Sequence, residues 1–375
     1  MKVLICIPCL LTGGTEIQTL SLVDALVASG HNVVVACYFE YADQMVERYC
    51  NAGAVVELLS QDGIRSVGVK NTVKHLWNGL RKVVKKYNPN VAHVQYMAPG
   101  ALPILVLRAL GIKKIIATAH TSADIYPSLK QIHWLNHHIL TAFQCITFKA
   151  EDSFFGSASL FNKDIELKQH DNHFTIYNNL PSYIEIAETP RKGLPKVIGV
   201  VSRLESIKGM DLVVPAFAKI YASHPDLILL IIGDGSQRQL MEQQVQDAKL
   251  PISAVQFIGR QSQDNLQEFY DKIDILLMPS RSEGFGLTAI EGMARGCVPV
   301  VSNTGGLSEV VEDGESGLLH MPDSLDDMAE KVTSVIADTK LFEKLSFGAC
   351  NRAHDFSKEL YNRQVAALYE QLRNA

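Results

Sequence analysis

Short apolar runs alternate along this chain with longer stretches in which apolar positions recur at the helical period of about 3.6 residues. "KVLICIPCL" predicts a buried strand, and "TEIQTLSLVDALVASG" a helix that stops at Gly30, a glycine C-cap. "HNVVVACYF", "AVVELL", "VAHVQ", "KIIATAH" and "CITFKA" read as further strands, and "NTVKHLWNGLRKVVKKY" as a helix ended by "NPN". Such alternation builds a parallel sheet with helices on both faces. Between Asn178 and Pro195 the period is lost and three prolines occur, which places a linker at 181–195. The alternation then restarts with "KVIGVVSRL", "LILLIIGDG", "VQFIGR", "DILLMPS" and "VPVVSN" as strands and amphipathic helices between them. The expectation is an α/β protein of two Rossmann-like domains, 1–180 and 196–355, with a closing helix at 356–375 that packs back on the first.

Composition changes this picture little. The 375 residues suit two domains, and 47% hydrophobic with 20% charged residues is an ordinary globular balance. A net charge of −5 argues against a nucleic-acid binder that works through overall charge. The charge is uneven: residues 1–185 hold 16 Lys+Arg against 14 Asp+Glu, and nine of the twelve histidines. Seven scattered cysteines without a CxxC pair read as reduced core thiols of a cytosolic protein. No run of 18 apolar residues spans a membrane.

The chemistry-bearing residues fall where strands end and helices begin, where open α/β sheets collect ligands. After the first strand, Gly13 and Gly14 open a helix, a corner that favours phosphate or simply makes a tight turn. In "VSRLESIKG", Arg203 and Lys208 are two cations able to clamp a diphosphate. No DxD-like acidic pair is well placed for a divalent ion, so the cations would carry the charge that a metal carries elsewhere. In "RSEGFGLTAIEGMARG", Glu283 follows a strand, Gly284, Phe285 and Gly286 lead into a helix, and Glu291 lies about two turns on. Two carboxylates so spaced can accept hydrogen bonds from sugar hydroxyls at two places. A helix-capping acid plus a surface acid is the plainer alternative. His120 ends a strand of the first domain, and Gly305, Gly306 and Glu309 follow another in the second.

Taken in series, "GGTE", "VSRLESIKG", "IIGDG", "FIGR", "SEGFGLTAIEGMARGCVPV" and "GGLSEVVEDGESGLL" make the chain resemble the retaining GT-B glycosyltransferases of glycosyltransferase family 4, the group 1 glycosyl transferases. The resemblance covers nearly the whole chain. It implies two Rossmann-like domains whose parallel sheets face each other across a cleft, with an acceptor-binding first domain and a nucleotide-sugar-binding second. It places Glu291 on the donor ribose and Glu283 on the transferred sugar, with the amides of Gly284, Phe285, Gly286 and Leu287 near sugar and phosphate. Arg203 and Lys208 would neutralise the leaving diphosphate. Gly13 and Gly14 would approach it from the other domain, and Gly233 and the backbone near Ile258 would lie on the nucleotide side. His120 matches a histidine that contacts the transferred sugar. The family follows that histidine with aspartate; here Thr121 follows and Asp124 comes later. Glu283, Arg203, Lys208 and His120 are thus the implied catalytic set.

The implied partners are a nucleotide-diphosphate-sugar co-substrate and a glycan, lipid-linked or small-molecule acceptor, with no cofactor, metal or nucleic acid. A nucleotide-sugar 2-epimerase of the same fold and a non-catalytic nucleotide-sugar binder are the alternatives. One stretch adds a membrane expectation. "VKNTVKHLWNGLRKVVKKY" sets Lys70, Lys74, Arg81, Lys82, Lys85 and Lys86 around Trp77, and "DIYPSLKQIHWLNHHIL" adds Tyr126, Trp134 and three histidines. Cations with aromatics suit peripheral contact with an anionic inner-membrane surface. They equally suit the outer face of a domain, with Val73, Leu76, Leu80 and Val84 turned inward.

Overall fold

The computed structural model describes residues 1–95, 101–126, 128–162, 167 and 172–374; residue 375 of the expected closing helix lies outside these. The chain divides into two units, Met1–Asn179 with the stretch from Lys358 onward, and Leu180–Ser357. The first contains Lys2–Ile7 (β1), Gly14–Ala28 (α1), Asn32–Cys37 (β2), Asp43–Asn51 (α2), Val55–Leu58 (β3), Val69–Tyr87 (α3), Val91–Gln95 (β4), Leu102–Ala109 (α4), Lys114–Ala119 (β5), Leu129–His138 (α5), Ala142–Cys145 (β6), Phe148–Phe155 (α6) and His173–Thr175 (β7). The second contains Val197–Val201 (β8), Met210–Tyr221 (α7), Ile228–Ile232 (β9), Arg238–Asp247 (α8), Val255–Gly259 (β10), Leu266–Tyr270 (α9), Ile275–Met278 (β11), Leu287–Ala294 (α10), Val298–Ser302 (β12), Leu307–Val310 (α11), Leu318–His320 (β13), Leu325–Ala337 (α12) and Thr339–Ala353 (α13). Lys358–Asn374 (α14) returns to the first unit.

Each unit is a Rossmann-like parallel sheet. The orders are β3-β2-β1-β4-β5-β6-β7 and β10-β9-β8-β11-β12-β13. Every strand pairing is parallel. The central strands are apolar on both faces because helices cover both; Val3 to Ile7 of β1 are wholly buried. In each sheet the strand order reverses once, at β1/β4 and at β8/β11, and those are the positions where an open α/β sheet leaves a crevice.

Two local readings differ from the sequence pattern. "CITFKA" is not one strand: β6 ends at Cys145, and Thr147 caps α6 by accepting the Ala150 N–H at 3.1 Å. An apolar run that crosses a cap has no period of its own to reveal the break. The stretch 181–195 lies along the second unit. Leu180 N–H donates to Phe356 O at 2.7 Å, Ala187 N–H to Ala294 O at 2.7 Å, and Arg191 N–H to Ser346 Oγ at 2.8 Å. α14 docks on the first unit through α1, with Lys358 Nζ 3.2 Å from Asp24 and the Tyr369 hydroxyl 2.9 Å from buried His93 Nδ1. Among the described residues, no helix is long and apolar enough to cross a membrane.

Candidate functional site

In the second unit, the loops after β8 and β11 flank the point where the strand order reverses. Lys208 closes a short 3₁₀ turn, and Gly209 follows with φ +67°. A Cβ at Gly209 would stand 2.0 Å from Pro279 O. Only glycine lets the β8 loop press so closely on the end of β11. That approach brings Lys208 Nζ to 2.6 Å from Glu283 Oε2. Arg203, earlier in the same loop, is exposed and makes no side-chain hydrogen bond among the described residues; nearby Glu205 is tied to Ser236 Oγ at 2.6 Å.

The loops are fastened from beneath. Arg281 makes a two-pronged bridge to Asp211, both contacts 2.8 Å, reaches Asp323 at 2.7 Å, and donates to Ser206 O. Its guanidinium holds the Asp211 carboxyl below the ordinary range. This single side chain links the segment carrying Lys208 to the one carrying Glu283. Gly306 N–H donates to Glu283 O at 3.1 Å, and a Cβ on Gly305, at φ +48°, would lie 1.9 Å from that oxygen. The second glycine pair therefore supports the backbone of the Glu283 loop.

Gly286 adopts φ +103° and starts α10 at Leu287, leaving first-turn amides without helical partners. Phe285 is buried and meets Phe356 edge-on at 5.6 Å, which pins the loop between Gly284 and Gly286. Glu291, on α10, is 4% exposed. It accepts hydrogen bonds from the Tyr183 hydroxyl at 2.7 Å and the Tyr270 hydroxyl at 2.6 Å. Burial pushes its carboxyl up to about 6, against the pull of the two hydroxyls.

Gly233, at the end of β9, has φ +137°, and a Cβ there would lie 1.8 Å from Ser202 O. Its visible work is to let β9 abut the Arg203 loop. Ile258 is the residue skipped where β10 shifts register against β9, between Phe257 and Gly259. A bulge of this kind takes one residue's backbone out of the ladder.

In the first unit, Gly13 caps α1, whose first turn holds Glu16. A Cβ on Gly13 would meet Glu16 Oε2 at 2.5 Å, so the glycine makes room for an acid in the corner expected to favour phosphate. Gly14 is the first residue of α1. His120, just past β5, is buried with Nε2 2.9 Å from Gln95 Oε1 at the end of β4. Burial pushes it down to about 4, so it is a neutral imidazole at pH 7. Deeper in the same pair of strands, His93 Nε2 lies 2.7 Å from Thr118 Oγ1, and burial pushes His93 down to about 3.

The structure thus brings Lys208 and Glu283 into contact, sets Arg203 on the same loop as Lys208, and seats Glu291 on the helix that follows. Sequence reasoning missed Tyr183, Tyr270, Arg281, Asp211 and Glu16. Glu16, Asp211 and Arg281 carried a signal, as charges near motif glycines. Among the described residues, no group of three or more His, Cys, Asp or Glu side chains is placed to hold a metal ion.

Residues 184–352 match the family described as glycosyl transferases group 1, and residues 12–160 match glycosyltransferase family 4. An uncharacterized glycosyltransferase of Methanocaldococcus jannaschii is 34% identical over 165 residues, 44% of this chain and 45% of that one. The chain spans about half the length of the curated relatives it matches at this level. N-acetyl-alpha-D-glucosaminyl L-malate synthase of Bacillus anthracis is 27% identical over 316 residues, 79% of this chain and 78% of that one. An Anabaena protein solved in complex with UDP and glucose has the same fold, with a TM-score of 0.78, 17% identity and full coverage of both chains.

Proposed function

We propose that this chain is a group 1 glycosyl transferase of GT-B architecture, a reading supported by the two family matches and the shared fold, and that it moves a sugar from a nucleoside-diphosphate-sugar to an acceptor hydroxyl with retention of anomeric configuration. The observation that carries this is the Lys208–Glu283 contact beside exposed Arg203, at the strand-order reversal of the second unit. A departing diphosphate needs fixed positive charge where charge develops. Arg203 can meet its oxygens with a planar fork and Lys208 with a compact charge. The Anabaena neighbour's complex with UDP supports a nucleotide-sugar as the donor class.

The roles follow from the chemistry. Glu291 receives the ribose hydroxyls, Glu283 a hydroxyl of the transferred sugar, and the amides from Gly284 to Leu287 the sugar and phosphate. The bulged backbone at Ile258 offers the base a hydrogen-bonding edge, and Gly233 shapes the loop that presents Arg203. Within the first unit, Gly13, Gly14 and neutral His120 are the candidate residues. The acceptor oxygen bonds to the anomeric carbon on the face the diphosphate leaves. The carbon–oxygen bond to the diphosphate breaks, and the acceptor proton passes to a departing phosphate oxygen. The cations, not a divalent ion, neutralise the leaving group. The acceptor is a glycan, a lipid-linked glycan or a small molecule, and a membrane-borne acceptor would be met by peripheral contact of α3 with anionic lipid at the inner membrane surface.

The test is to incubate the protein with UDP-, GDP-, ADP- and dTDP-sugars in EDTA, with and without candidate acceptors. Nucleoside diphosphate release that grows with an acceptor, and an axial or equatorial product matching the donor's configuration, is the expected result. Binding of a nucleotide-sugar without turnover under any acceptor would favour a sensor, and exchange of configuration at the sugar C2 an epimerase.

A further inference from the structure

Glu291 is a carboxylate held almost wholly out of water in the second unit. The buried residues around it on α10 are Ala289, Ile290, Gly292, Met293 and Ala294, so the helix face offers it no polar company. Among the described residues, no cation pairs with it. Arg191 lies 3.6 Å from Asp274, and Arg295 is 2.7 Å from Asp271. Cys297, before β12, has its thiol on Tyr270 O at 3.2 Å. α13, which packs on α10, brings Cys350, whose thiol is influenced by Arg191 and Arg295, and α11 brings Glu309. Among the described residues, the groups bonded to the carboxylate are two neutral hydroxyls, one on each oxygen.

Those hydroxyls come from different places. Tyr270 is the last residue of α9 and is wholly buried. Tyr183 lies on the stretch that leads from the first unit into the second. A carboxylate oxygen has two lone-pair directions. One tyrosine on each oxygen leaves one acceptor direction per oxygen, as many as a vicinal diol has hydroxyls to donate.

We propose that Tyr183 and Tyr270 are positioning residues that keep the Glu291 carboxylate ionised and aimed as a two-point acceptor for the ribose diol of the nucleotide. This rests on the donor reading given above. A structural acid with no ligand to meet would be better replaced by an amide or an apolar side chain, because an unpaired buried charge is costly. Here the cost is retained and partly offset by neutral donors that fix direction without neutralising charge. The tyrosines thus keep the acceptor in its ionised form near neutral pH, where burial alone would drive it toward the acid.

The decisive measurement is a carbon-13 titration of the Glu291 carboxyl in the ligand-free protein, assigned by its disappearance in Glu291→Gln, alongside UDP affinity from pH 6 to 8.5. Removing a hydrogen bond to the charged form raises a carboxyl's titration midpoint. In Tyr183→Phe and Tyr270→Phe the midpoint is expected to rise by about one pH unit. UDP affinity should then fall about fivefold at pH 6, the gap closing by pH 8.5, as the ionised fraction dictates. Tyr183→Phe keeps the ring, so the proposal is testable even where the buried Tyr270 variant folds poorly. A midpoint unmoved in Tyr183→Phe overturns the proposal, as does a UDP affinity gap that stays constant with pH. Wild-type protein that binds none of UDP, GDP, ADP or dTDP overturns the donor reading itself, whatever the titration shows.

Discussion

Lys208 Nζ stands 2.6 Å from Glu283 Oε2, with the two side chains 19% and 18% exposed. A pair this sheltered is screened less than a surface ion pair, and removing one partner leaves the other uncompensated. The pair gives the two acids of the motif opposite predicted behaviour toward free nucleotide. Glu283→Ala releases Lys208 to a diphosphate, so UDP should bind as well as in wild type or a few-fold tighter while sugar transfer collapses. Glu291→Ala removes the ribose acceptor, so UDP should bind more weakly. Calorimetry with UDP decides, and equal weakening in both variants would reject this division of labour.

Arg203 and Lys208 should matter most to the leaving group. Arg203→Ala or Lys208→Ala is expected to lower kcat about 10²-fold or more, the scale for losing one donor to a developing oxyanion. Full activity should persist in EDTA. Strict dependence on Mg²⁺ or Mn²⁺ would sink the cation-only account of the diphosphate.

Gly305→Ala tests the support beneath Glu283. Its Cβ would fall 1.9 Å from Glu283 O, a backbone atom that cannot swing away, and at φ +48°. The Glu283 loop must shift, and a 1 Å misplacement of a catalytic group can cost about 10²-fold in rate. The expected result is a lowered melting temperature together with lost turnover. A variant with wild-type kcat would show that the loop position tolerates movement.

How much of this was legible beforehand depended on the kind of signal. Most strands of both sheets carried largely apolar runs, so the two parallel sheets and the restart near residue 196 were readable, whereas β7, only His173–Thr175, is too short and polar to show one. Glycines beside charges marked the loops after β8 and β11, since a glycine required by close backbone approach is a local feature of the sequence. Tyr183 and Tyr270 were not readable as partners of Glu291, because a tyrosine that donates its hydroxyl to a buried acid looks like any core aromatic. Nor was the Arg281–Asp211 bridge, whose members lie far apart in sequence and meet only because β8 and β11 are neighbours. The stretch 181–195 reads as linker by composition, yet prolines also suit a strap whose backbone bonds go to a neighbouring surface.

Acid should destabilise the first unit through its buried histidines. His93 and His120 are pushed below the ordinary 6.5, so the unfolded chain takes up protons first as pH falls. Their stability contribution is full above pH 6.5 and is lost as pH drops toward 4. Each loses about 2 kcal/mol between pH 7 and 5. Glu291 works in the opposite sense between 4.5 and about 6, where the unfolded chain ionises first, so its contribution falls as pH rises. Two histidines against one acid leave a net loss on acidification. The melting temperature should fall from pH 7.5 to 5, and His93→Gln should flatten that slope. An unchanged slope would mean that His93 is not held neutral.

The charge on α3 gives the last prediction. Its exposed face carries Lys70, Lys74, Arg81, Lys82 and Lys85, and the helix has no acidic residue to offset them. Lys86 is committed elsewhere, 2.8 Å from Glu57, so it is a poor choice for a test. Trp77 is half-buried and packs against the core cluster that holds Leu76 and Leu80. Exposed aliphatics lie just before the helix and at its first residue, where Ile64, Val67 and Val69 are 65%, 84% and 68% exposed. Cations beside exposed aliphatics fit an anionic bilayer, each charge near the surface adding about 1 kcal/mol. Co-sedimentation with phosphatidylglycerol-rich vesicles at low salt is therefore expected, and should weaken as salt shortens the range of the attraction. Lys74, Lys82 and Lys85 changed together to glutamine should abolish it, while Val67→Ser with Val69→Ser should reduce it without removing the salt dependence. No binding of wild type to such vesicles at low salt would reject membrane docking by α3 and favour a soluble acceptor.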